Sequence, residues 1–283
     1  MMAQLIDRKQ LKQQMKDLLR SAQVGARGMT LLYLALVCAL NLTDSLTGLV
    51  NDGLPAMFVS ILTSLLGMVL SAGFVLYCMA VRRGERAEYL TLFDGFSFVG
   101  RIILLNIVEY LFIFLWSLLF VIPGIIAAYR YRFALYNLCE NPDIGIWEAL
   151  DISKRQTMGY KGQLLFLDLS YLGWTLLAGI PSMIYSIAFY QLLLQEMASL
   201  YGFVFQPAAW ASIVSLLPGW GWTLVMGVWN LAVSLFYLPA YQCVELGYFE
   251  TAKTTSGVGS GAASNQGPSF WGRRDGPDDL GGY

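Results

Sequence analysis

Apolar side chains fall in long uninterrupted runs along this chain, and polar residues gather between them. Runs of about 20 residues match the ~30 Å of hydrocarbon that a helix must cross. They predict membrane-spanning helices near 29–50, 55–80, 102–122, 125–138, 164–188 and 222–241. Two other stretches alternate instead. In 1–28, Leu11, Met15, Leu18 and Ala22 recur at helical spacing, while Lys9, Lys12, Lys16 and Arg20 take other faces. This predicts a basic amphipathic helix, lying either on anionic lipid or on the inner face of the bundle. In 141–162, Asn141-Pro142-Asp143 reads as a turn, and Ile146, Leu150, Ser153 and Thr157 follow along one helical face. The segment 190–205 is expected along the outer surface, and 208–217, stopped by Pro218-Gly219, as a half-helix or interfacial piece. From 251 to 283 Gly, Ser, Asn and Asp dominate without an apolar face, so a disordered cytoplasmic tail is expected. The fold class is all-α: a polytopic transmembrane bundle of about six spans. Its divisions are a basic helix over 1–28, a transmembrane domain over 29–250, and the tail over 251–283.

Charge orients this layout. Lys and Arg cluster in 1–28, 82–101, 130–161 and after 250, and are absent from 28–81, 102–129 and 162–252. Basic loops stay on the cytoplasmic side. Both termini and the loops 82–101 and 139–161 are therefore expected inside. The chain must then cross twice or not at all between 101 and 139, the alternative being a single kinked helix that leaves 139–161 outside, against the charge rule. The run 102–122 measures about 31 Å as a helix, and Pro123-Gly124 would turn it back, since proline removes a donor and clashes one turn earlier.

Composition narrows the chemistry. Of 283 residues 57% are apolar and 13% charged, with no histidine and a net charge of −1. Half the charge of an ordinary soluble domain cannot cover a water-exposed surface. Without histidine there is no His-Glu-x-x-His zinc helix and no Ser–His dyad. The four cysteines, Cys38, Cys78, Cys139 and Cys243, form no CxxC pair. No phosphate-binding loop is present. The reading is therefore a non-enzymatic membrane protein without cofactor or metal, in contact with the lipid bilayer. It makes no contact with nucleic acid, and protein partners would dock through the cytoplasmic helices 5–27 and 143–160. The alternatives are a transporter or channel component and an intramembrane enzyme acting on lipid or peptide.

Ionisable groups at membrane depth are the default functional candidates. Here they are Asp44, Glu109, Arg130, Arg132, Asp168 and Glu245. Counted at 1.5 Å per residue from the span ends, Glu109, Arg132 and Asp168 reach similar depth. They form a candidate polar cluster, with Arg130 beside it. Such a cluster reads as a structural ion pair, a substrate site or a catalytic group. A groove reaching it favours the latter two, a closed ion pair the first. Gly67, Gly73, Gly173 and Gly179 are read as sites of close helix contact.

An ordered series of motifs adds to this. Leu115-Trp116-Ser117-Leu118-Leu119-Phe120-Val121-Ile122-Pro123-Gly124-Ile125 is followed by Tyr129-Arg130-Tyr131, Asn141-Pro142, Glu148-Ala149-Leu150, Ser153 and Met158-Gly159-Tyr160-Lys161-Gly162. Leu167-Asp168-Leu169-Ser170-Tyr171-Leu172-Gly173-Trp174 closes it, and Phe93-Asp94-Gly95-Phe96 precedes it. The series resembles the bacterial "domain of unknown function 975" membrane proteins over roughly 85–178. Arg132-Phe133 and the stretch after Ile180 depart from that pattern. The resemblance implies a bacterial plasma-membrane location and the Pro123-Gly124 hairpin, and carries no activity with it.

Overall fold

The computed structural model describes residues 6, 8–21, 25–50, 53–85, 87–202 and 204–259. Among these the chain is all-helical, with no strand. The helices are α1 (Arg8–Ser21), α2 (Ala26–Val50), α3 (Leu54–Arg83), α4 (Val99–Leu119), α5 (Val121–Tyr131), α6 (Ala134–Glu140), α7 (Ile146–Gln156), α8 (Lys161–Leu200) and α9 (Gly219–Ser256). Short 3-10 helices, Tyr89–Phe98 and Ala209–Leu216, precede α4 and α9.

Among the described residues, five helical stretches are long and apolar enough to cross a membrane: Ala26–Gly48, Leu54–Arg83, Tyr89–Leu119, Lys161–Leu200 and Gly219–Ser256. Their outward faces carry large apolar side chains such as Phe58, Phe114, Leu118, Leu169, Leu176 and Phe236. An exterior of this kind, on helices of this length, is compatible with a membrane protein. The sixth expected span, 125–138, is not one helix. It is the broken pair α5–α6, with Arg132 and Phe133 in the break.

The chain does turn back, and surface ion pairs show it. Arg101 at the start of α4 lies 3.1 Å from Asp143 just after α6. Glu140, which ends α6, meets Arg83 of α3 at 3.2 Å and Lys253 of α9 at 2.7 Å. Arg82 pairs with Glu250. The basic ends of α3, α4 and α9 and the acidic end of α6 therefore share one end of the bundle. These pairs are partly exposed, so they report proximity more than stability. The turn itself lies earlier than expected. Phe120 is extended (φ −161°, ψ 152°), and Pro123-Gly124 fall in the first turn of α5. A proline there forfeits nothing, because first-turn N–H groups have no partner within the helix. Gly124 is what the hairpin requires, since a Cβ on it would come within 2.9 Å of the Ser117 Cα.

Other boundaries also move. Helix α8 runs unbroken through Pro181 to Leu200, so 189–200 continue the helix instead of lying apart along a surface. Helix α9 extends to Ser256, where Gly257 caps it in the left-handed region (φ 65°). Residues 251–256 thus belong to the bundle and not to a tail, and 260–283 lie outside the described residues. The segment expected at 208–217 is the 3-10 helix, held by Ala208 N–H to Gln191 and by the Trp222 indole to the Val214 carbonyl. Of the four glycines read as close contacts, only Gly73 is one: its Cβ would sit 1.8 Å from the Leu92 carbonyl oxygen, while Gly67, Gly173 and Gly179 face open space.

The core is concentrated at the basic end. Val69–Val81 of α3, Phe133 and Leu138 at the break, Leu164 and Leu167 of α8, and Cys243–Phe249 of α9 bury most of its apolar side chains. Helix α1 lies across this end. Met15 is buried, Ile6 N–H donates to Gln163, and Lys12 donates to Ser170 over the Tyr171 ring. Leu11, Met15 and Leu19 pack on the bundle, while Leu18 stays exposed. Ala22 falls outside the described residues.

Candidate functional site

The break between α5 and α6 positions the site. Nothing in Arg130-Tyr131-Arg132-Phe133 stops a helix by propensity; the interruption is satisfied from outside. Helix α7 buries Leu150, Ser153, Gln156 and Thr157. Ser153 Oγ donates to the Arg130 carbonyl (3.0 Å) and accepts from the Phe133 N–H (3.1 Å). Thr157 also donates to the Arg130 carbonyl, at 3.3 Å. Asn137 and Gln156 form a reciprocal amide pair at 2.8 and 3.0 Å. Broken backbone at membrane depth persists only where protein groups complete its hydrogen bonds.

This bend directs Arg132 toward α8 and α9. Its two terminal nitrogens donate to the two Asp168 oxygens, at 2.8 and 3.0 Å, a fork that suits a planar carboxylate. Its Nε donates to Glu245 at 2.5 Å, and its guanidinium also reaches the Tyr241 hydroxyl. Tyr241 and Tyr129 each donate to Asp168 at 2.7 Å. Tyr136 accepts from Gln242 at 2.7 Å. The side chains of Arg132, Asp168 and Glu245 are 23%, 28% and 6% exposed.

A cavity of about 460 Å³ opens on the other side of Arg132. Glu109, Asn106, Ser71, Tyr110, Tyr129 and Gln242 are among the side chains on its wall. Glu109 feels the charge of Arg132 but forms no hydrogen bond or ion pair among the described residues. Asp168 is not on the cavity wall, whereas Arg132, which it holds, is.

The sequence-derived candidates therefore separate. Arg132 and Asp168 meet directly, and Glu109 faces the same guanidinium across the cavity. Arg130 does not join them. Its carbonyl serves the break, and its guanidinium forms no ion pair among the described residues. Pro123 and Gly124 lie in the hairpin, away from the charges. The sequence reading left Glu245, Tyr129, Tyr136 and Tyr241 outside the cluster. Tyr241 and Glu245 stand four apart on α9, a same-face spacing that was open to notice. Depth places the group nearer the basic end than mid-bundle: Glu109 is eight residues from Arg101 and Asp168 seven from Lys161, about 10–12 Å along their helices.

Chemically the group is unbalanced. One guanidinium faces three carboxyl groups, Asp168, Glu245 and Glu109. Among the described residues no group of three or more His, Cys, Asp or Glu is arranged to hold a metal ion.

Among known proteins, the model of the family described as "Protein of unknown function (DUF975)" matches residues 1–134 and 118–253. No curated protein and no solved structure matches the chain.

Proposed function

The chain belongs to the DUF975 family of proteins of unknown function, and from that premise we propose that it is a transport-type, non-enzymatic protein of the bacterial plasma membrane. Its cavity between α3, α4 and the broken α5–α6 pair takes up a proton or small cation at Glu109. The observation that carries this reading is the cavity itself, which ends on a carboxyl group with no hydrogen-bond or ion-pair partner among the described residues, beside an already committed arginine. Charges at membrane depth cost several kcal/mol on insertion scales unless they are balanced. Arg132 is held by Asp168 and Glu245 together, so an ionised Glu109 lacks a balancing charge. A proton or a cation arriving through the cavity supplies it. Interrupted helices beside such a site are the usual way a membrane chain brings polar backbone and charge together.

The orientation follows from the basic end being cytoplasmic: N-terminus, α7 and the end of α9 inside. The adaptor reading, in which α1 and α7 recruit partners, has less support, because most of their apolar side chains pack on the bundle and only Leu18 and Trp147 stay exposed.

Proteoliposomes carrying the protein and a trapped pH dye provide the test. Under a potassium-diffusion potential set by valinomycin, lumenal acidification or sodium uptake should exceed that of empty vesicles and be lost in E109Q. Acidification and sodium uptake both equal to those of empty vesicles overturn the reading.

A further inference from the structure

A second cavity, about 550 Å³, lies at the opposite end of the bundle between α2, α8 and α9. Its wall is unusually polar for apolar helices: Asn41, Asp44 and Ser45 from α2, Ser182 from α8, Thr223 and Asn230 from α9. Much of that polarity is satisfied locally. Asn41 donates to the Val37 carbonyl (2.9 Å), Ser182 to Gly179 (2.8 Å), and Thr223 meets Ser45 at 3.1 Å. What remains is the Asn41 amide oxygen, the Asp44 carboxylate and the amide N–H groups of Asn230, whose oxygen accepts from Ser234 (3.2 Å). Among the described residues Asp44 forms no hydrogen bond or ion pair, and it is the sole charged side chain on the wall.

Position separates this cavity from the arginine site. Asp44 is 18 residues along α2 from Ala26, about 27 Å from the basic end. Its volume is in the range of small-molecule sites.

We infer that this cavity is a binding site for a small primary ammonium compound, entering from the side opposite the basic end. The carboxylate of Asp44 takes the charge, and Asn41 and the hydroxyls accept the ammonium N–H groups. A guest of either zero or negative charge would leave Asp44 unbalanced. The inference does not rest on proton or cation uptake at Glu109, and each can fail alone.

Cys38 lies on the same wall, while Cys78, Cys139 and Cys243 are buried. The native protein therefore carries its own reporter. In intact membranes, Cys38 labelling by cationic trimethylammonium-ethyl methanethiosulfonate is compared with that by anionic sulfonatoethyl methanethiosulfonate, each corrected for its rate with a free thiol. The cationic reagent should be favoured about tenfold, as a nearby carboxylate in a partly screened site dictates. D44N should abolish the preference, C38S should abolish labelling, and ethanolammonium chloride should slow labelling more than equimolar sodium chloride. Equal corrected rates, a preference unchanged in D44N, no labelling of Cys38, or no protection by ethanolammonium each overturns the inference.

Discussion

The hydroxyl of Ser153 donates to the carbonyl of Arg130 from a helix 23 residues further along the chain, and so completes one side of a helix break. The same oxygen accepts the Phe133 N–H on the other side. One side chain thus substitutes for the bonds that α5 and α6 would have made as a single helix. The bend it holds is what aims Arg132 at Asp168 and Glu245. S153A should leave a buried N–H without a partner, at about 1–3 kcal/mol. Thr157 keeps the Arg130 carbonyl satisfied in that variant, so S153A/T157V should cost more. Thermal unfolding in detergent reads this order, and a double variant no less stable than S153A would contradict the role given to Thr157.

Arg132 holds two carboxylates, so its removal strands both. R132A should lose about 3–5 kcal/mol, the usual penalty for breaking a buried pair from one side. R132K keeps the charge but not the fork, and should fall between wild type and R132A. R132M/D168N/E245Q removes the charges together and should recover much of the loss. Unfolding midpoints of the three variants decide it; a triple variant as unstable as R132A would show that packing, not charge, governs the site.

How much of this was legible beforehand follows from what each signal records. The clustering of Lys and Arg marked the end where Arg82, Arg101, Glu140 and Lys253 meet, because lipid excludes charge whatever the packing. Helix rise alone set Glu109, Arg132 and Asp168 at comparable depth. The break at 132–133 left no trace, since no Gly or Pro marks it and its cause is Ser153, a contact across the fold. Glu245 escaped for a similar reason: α9 approaches Arg132 from more than a hundred positions away. Pro123-Gly124 signalled a turn correctly but displaced it, because proline is as comfortable in a first helical turn as in a bend. The continuation of α8 through Pro181 shows the converse, a proline that neither ends nor starts its helix.

That displacement has a measurable consequence. P123A replaces a residue whose missing donor was unneeded, and should change stability by less than about 1 kcal/mol. G124A forces a Cβ to within 2.0 Å of Ser117 Oγ and 2.9 Å of its Cα. Overpacking of that kind costs about 1–3 kcal/mol. S117A/G124A removes the nearer clash and should regain part of it. Were P123A the more damaging of the single variants, the turn would lie at the proline after all.

The orientation is tested by single cysteines in a C38S background, where the remaining native thiols are buried. Trp147 and Met158, on and just beyond α7, are 67% and 68% exposed, and Tyr201 at the far end of α8 is 74% exposed. Helix α8 has 40 residues, about 60 Å at 1.5 Å each, so Tyr201 and Met158 lie on opposite sides of any bilayer that α8 crosses. With the basic end inside, a membrane-impermeant maleimide applied to intact cells should label Y201C but neither W147C nor M158C. Permeabilised cells should show all three. Labelling of W147C and M158C from outside would invert the protein, turning the Glu109 cavity outward and the Asp44 cavity toward the cytoplasm. The direction of any uptake would then reverse while the geometry of both cavities stayed as described.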